Sequence, residues 1–308
     1  MYKLVIFSLV GFGAQLVDGA LGMAFGVTAT TLLVLSGVGS AQASAAVHFA
    51  EVGTTLASGI SHWRFGNVDW KMVLRLGVPG AIGAFAGATL LSNLSTEAAA
   101  PVTASILLAI GIYVLLRFSI RPPRVAKVRT SPHTAKFLAP LGLFGGFIDA
   151  SGGGGWGPVS TSTLLSRGKT APRTVIGSVA ASEFLVAASA SAGFLFGLDG
   201  GFADNLLVIA GLAIGGVLAA PVAAWLVSRI AATLLGTAVG GIIVITNTRT
   251  LFEAFDVTGP VSTVVYALIV AAWVWFVGVA WRRSRLSDSE ASGDLTGIEE
   301  PAVEDSTR

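Results

Sequence analysis

Two matched breaks in otherwise apolar sequence constrain this fold more than any other feature. The stretch from Phe147 to Pro158 carries one acid, Asp149, then Ser151, four glycines from Gly152 to Gly155, Trp156, Gly157 and Pro158. Glycine and proline are poor helix-interior residues, so a helix breaks here. A related stretch lies near the N-terminus, where Asp18, Gly22, Phe25 and Gly26 precede Asp149, Gly153, Trp156 and Gly157 by one constant offset. Broken backbone at membrane depth must be buried in protein or line a cavity. Paired interruptions in corresponding positions of two halves point to the binding site of a secondary transporter. Two ordinary interhelical loops are the plainer alternative.

Composition sets the environment. The chain is 53% hydrophobic and 12% charged, with a mean hydropathy of +0.78. A soluble domain carries about 25% charged residues. The sequence therefore reads as an all-α polytopic membrane protein in a lipid bilayer. It has no cysteine, so it forms no disulfide. Seven of its 17 acids fall between Asp288 and Asp305. Nothing resembles a nucleic-acid module. Residues 1–22 could pass for a secretory signal, but they form half of the matched element, which argues against cleavage.

Apolar segments are expected at 4–17, 24–36, 41–62, 71–92 and 98–117, then at 137–149, 156–166, 172–196, 203–226, 230–247 and 260–281. A span needs about 20 residues. The four short segments flank the breaks, so each pair reads as a hairpin that enters and leaves on one side. Treated as one span, 4–36 would make about 50 Å of helix, too long for a ~30 Å core. Glu51 matches Glu183, and Ile82-Gly83 matches Ile214-Gly215, with the offset longer by a single position, as a loop insertion would produce. The expected organisation is a first repeat at 1–117, a basic cytoplasmic linker at 118–136 and a second repeat at 137–247. An external loop with the last span follows at 248–281, then a disordered acidic cytoplasmic tail at 282–308. Each repeat holds a broken-helix hairpin plus three transmembrane helices, and one extra C-terminal helix follows.

Lys and Arg in short loops mark the cytoplasmic side. Arg121, Arg124, Lys127, Arg129 and Lys136 put the linker inside, and Arg167, Lys169 and Arg173 do the same for the loop after the second hairpin. The loop at 36–41 after the first hairpin has no charge and reads as external. Arg64, Lys71 and Arg75 place 63–70 inside, while Asp199 and Asp204 place 198–205 outside. Corresponding loops lie on opposite sides, which is an inverted-topology repeat. Arg282, Arg283 and Arg285 put the C-terminus in the cytoplasm, with the inner or plasma membrane as the setting. Lys3 and Arg249 fall on the outside against this rule.

Four acids lie within apolar segments: Asp18, Glu51, Asp149 and Glu183. An intramembrane acid is a functional candidate by default. Asp18 and Asp149 stand beside breaks, where helix capping competes with substrate binding. Glu51 and Glu183 lie mid-span without a basic neighbour and could carry a proton. His48 shares a helix face with Glu51 and could relay that proton, whereas a lone His with one Glu is a weak metal signal, and no metal site is assigned. Free N–H groups at the helix starts and the hydroxyls of Thr28, Ser160 and Thr161 could hold an oxyanion without Lys or Arg. The substrate-binding candidates are thus Gln15, Asp18, Gly22, Thr28, Asp149, Ser151, Gly153, Gly154, Gly155, Trp156, Ser160 and Thr161; the proton-coupling candidates are Glu51, Glu183 and His48. No nucleophile–base pair, nucleotide loop or haem motif is visible, so neither enzymatic activity nor a cofactor is expected.

The Asp-x-x-x-Gly pattern of Asp18-to-Gly22 and Asp149-to-Gly153, with the run Gly152 to Pro158, resembles the TauE/SafE sulfite exporter family, also called the toluene-sulfonate uptake permease family. The likeness covers about 4–281. It implies transport, by export, of a small sulfur anion such as sulfite or an organosulfonate. The first copy has Leu21, Met23 and Ala24 where the second has glycines. An anion channel, a membrane scaffold, and a cation or metal transporter using the embedded carboxylates remain alternatives. The oligomeric state is left open.

Overall fold

The computed structural model describes residues 2–21, 23–120, 133–167, 170, 172–198, 201–227 and 232–295. Gly22, most of the linker and everything after Leu295 lie outside them, so the expectations placed there do too. All regular elements among the described residues are helical. The first half contains α1 (Tyr2–Leu21), α2 (Phe25–Leu35), α3 (Ser40–Arg64), α4 (Trp70–Ser92) and α5 (Thr96–Ser119). The second contains α6 (Ala135–Gly152), a π-helical turn (Gly157–Thr161) running into α7 (Ser162–Arg167), then α8 (Pro172–Gly197), α9 (Gly201–Val227) and α10 (Ala232–Ala254). The last helix, α11, spans Pro260–Leu295. It continues past 282, so the first part of the segment expected as a disordered tail is helical.

Among the described residues, five helices are long and apolar enough to cross a membrane: α4, α5, α8, α10 and α11. α3 is as long, but His48, Glu51, His62 and Arg64 dilute its apolar character. Apolar sequence in α9 is established over Leu206–Ala219.

Both breaks turn the chain back on itself. Val10 and Ala14 of α1 share a buried cluster with Phe25, Ala29 and Leu33 of α2. In the second break, a Cβ on Gly145 of α6 would lie 3.3 Å from the Ser160 hydroxyl, and the Arg167 guanidinium sits 3.6 Å over the Phe137 ring. A single continuous span would hold these residues far apart.

The halves interlock by exchange. α1 packs on α9, and its counterpart α6 packs on α4; α3 meets α8, and α5 meets α10. Small residues allow these approaches. A Cβ on Gly83 would strike the Leu143 carbonyl of α6, and one on Gly215 would strike the Ser8 carbonyl of α1. Small-residue interfaces of this kind let membrane helices approach closely. Ends expected on one side also meet. Arg283 donates from Nη1 to the carbonyls of Ser119 (2.9 Å) and Ile120 (2.8 Å). The Asp69 N–H donates to the Ser178 hydroxyl at 2.8 Å, joining the 65–69 loop to the start of α8.

Candidate functional site

Each hairpin is closed by its own aspartate. Asp18 Oδ1 accepts from the N–H groups of Ala24 (2.8 Å) and Phe25 (3.2 Å) at the start of α2. Asp149 Oδ1 accepts from the Trp156 N–H (2.8 Å), and the Asp149 carbonyl accepts from the Gly154 N–H (2.8 Å). Carboxylates satisfy otherwise unpaired N–H groups at helix starts and suit the dipole there. Four of the tip N–H groups, those of Ala24, Phe25, Gly154 and Trp156, therefore serve the fold and are not free for an anion. Gly153 ends α6 at φ +72°, a left-handed conformation that favours glycine.

The two tips touch. The Thr30 hydroxyl of α2 donates to the Gly153 carbonyl. A Cβ on Gly26 would sit 2.8 Å from Gly154 Cα, and one on Gly157 would sit 2.9 Å from Met23 Cα. The Trp156 indole, fully buried, donates to the Val179 carbonyl of α8 at 3.2 Å.

Beside the joined tips lies a cavity of about 280 Å³. It is lined by Gln15, Asp18, Asp149, Gly154, Gly155, Trp156 and Thr161 of the expected binding residues, and by Glu51 and Glu183. Thr28, Ser151, Gly153, Ser160 and His48 are not among its lining residues; they are packed in the surrounding protein. The hydroxyls of Thr28, Ser151 and Ser160 are buried with no hydrogen-bond partner among the described residues. Glu51 leaves Oε2 in the same condition.

The sequence reading missed a polar stripe. Thr54, Thr55, Ser58 and His62 line the cavity along α3 beyond Glu51, facing Ile176, Val179 and Ala180 of α8. Their spacing of three to four positions from Glu51 onward puts them on one helix face, a signal the sequence carried. Among the described residues, four carboxyl-bearing side chains line this cavity and no Lys or Arg does.

His48 reaches past its own helix to the second hairpin. Its Nδ1 lies 2.8 Å from the Ser44 carbonyl, which can only accept, so Nδ1 carries a hydrogen. Its Nε2 lies 3.1 Å from Asp149 Oδ2. That contact requires one proton, held either as an imidazolium facing a carboxylate or as an imidazole facing an acid. The pair is buried and links α3 to the second hairpin. His48, Glu51 and Asp149 also have ligand atoms within 4.8 Å of one another, close enough for a cation.

The family model described as Sulfite exporter TauE/SafE matches residues 7–250. The chain is 48% identical to a Bacillus subtilis (strain 168) protein named "Probable membrane transporter protein YtnM" over 275 residues, 89% of this chain and 91% of that one. It is 26% identical to "Probable membrane transporter protein YdhB" of the same organism over 191 residues, 62% of this chain and 76% of that one. No solved structure matches the chain.

Proposed function

Because the chain belongs to the sulfite exporter TauE/SafE family, we propose that it is a secondary transporter, working as an exporter, for a small sulfur-containing anion such as sulfite or an organosulfonate. The observation that carries this reading is the cavity where two broken hairpins meet, between α3 and α8. Exchange packing of the halves supports an inverted repeat moving by alternating access. The meeting of Arg283 with the end of α5, and of the 65–69 loop with the start of α8, supports the sidedness assigned from Lys and Arg. On that assignment the C-terminus is cytoplasmic and the cavity faces inward through His62.

An anion among four carboxyls, with no Lys or Arg among the described lining residues, would meet strong repulsion in a low-dielectric site. Protons therefore travel with it, and Glu51 and Glu183 hold them. The Gln15 amide, the Ser58 and Thr161 hydroxyls and the His62 ring can donate hydrogen bonds to the bound oxyanion. The same ring of carboxyls favours one competing reading, a cation transporter. Flux in proteoliposomes separates the possibilities. Saturable sulfite uptake with counterflow, competed by organosulfonates and untouched by divalent cations, is the expected result. Competition by divalent cations would establish the cation reading, and a non-saturating conductance would mean a channel.

A further inference from the structure

α3 and α8 start at Ser40 and Pro172, in the same register that relates Glu51 to Glu183. On the open side of the cavity, Thr54, Thr55, Ser58 and His62 of α3 face Ile176, Val179 and Ala180 of α8. The same register carries these positions to Val186, Ala187, Ala190 and Phe194 of α8, and to Ser44, Val47 and His48 of α3. None of these seven counterparts is more than 1% exposed. The repeat thus builds one pair of walls twice, once around a cavity and once packed shut.

We propose that the shut copy is the second mouth of the translocation path, on the opposite face, plugged by Phe194 and latched by the His48–Asp149 hydrogen bond. This rests on the transporter reading above. Phe194 stands where the open side has His62, and its ring centroid lies 6.1 Å from that of His48. The latch ties α3 to the second hairpin at 3.1 Å, and the Ser44 hydroxyl adds a bond to the Ala150 carbonyl at 2.7 Å. The open side cannot copy this latch, because Ala180 occupies the position equivalent to His48 and has no polar side chain. The two mouths are consequently unequal. One rests open with a polar wall, and the other opens only when α3 parts from the tip of the second hairpin.

The chain has no cysteine, so single cysteines report access directly. Ser58→Cys and Ala190→Cys are labelled with a membrane-impermeant maleimide in right-side-out and inside-out vesicles. Ser58→Cys should react from one face without substrate. Ala190→Cys should react only from the other face. Its rate should rise about tenfold when His48→Ala removes the latch, the effect of one hydrogen bond on a two-state equilibrium. Phe194→Ala should do the same, and so should sulfite turnover with His48 in place, which covers a poorly folding His48→Ala protein. The proposal is overturned if Ala190→Cys stays inert in all three conditions while Ser58→Cys reacts, or if it reacts from the same face as Ser58→Cys. Absence of sulfite flux in the parent would count against the transporter reading instead, and labelling of the His48→Ala and Phe194→Ala proteins would still decide the mouth.

Discussion

Asp149 does three things at once: it caps the π-helical turn, accepts Gly154 through its carbonyl, and meets His48. Asp149→Ala leaves a buried N–H and a buried ring nitrogen unpaired, each costing about 1–3 kcal/mol. We expect a large fall in melting temperature in detergent. Asp149→Asn should recover most of that stability, since an amide accepts from Trp156 and donates to Nε2, yet it removes the shared proton. Equal stability of the Ala and Asn proteins would contradict the pairing. Glu183→Gln should leave sulfite binding intact and abolish the response of flux to an imposed pH gradient. An unchanged response would move proton coupling to another group. The capping role was legible from an acid beside a break. Its partner was not, because His48 lies far away in sequence and only tertiary packing joins the two.

At the scale of elements, the sequence carried most of the arrangement. Glycine clusters marked both hairpins, and α6 ends where Gly153 adopts a left-handed φ. Less visible was the contact between the tips, since a glycine that accommodates a neighbour reads the same as one that merely turns the chain. The tip contact predicts opposite outcomes for two alanines. A Cβ at Gly154 would collide with the backbone of Gly26 and Val27, whereas a Cβ at Gly13 meets nothing within 4 Å. Gly154→Ala should therefore lower stability and flux, while Gly13→Ala, in a helix interior, should be neutral or stabilise by roughly 0.5–1 kcal/mol. Thermal unfolding of both proteins tests this, and a harmless Gly154→Ala would dissolve the joined tips. The polar face of α3 escaped notice for a different reason: threonine and serine are ordinary packing residues in membrane helices.

For the whole molecule, exchange of packing partners between halves follows from small residues placed at the repeat spacing, as with Gly83 and Gly215. The sidedness proposed from charge has its own check. Cysteines at Ser36 and Asn93 should label from outside, and cysteines at Gly66 and Arg167 from the cytoplasm; an externally labelled Arg167→Cys would undo the inverted repeat. The central claim is that the cavity beside the joined hairpins is the substrate site, and protection of Thr54→Cys tests it most directly. In proteoliposomes, sulfite should slow maleimide modification of this residue, with half-protection at the concentration that gives half-maximal flux, and modification should stop transport. Full modification at saturating sulfite with flux intact would place the site elsewhere.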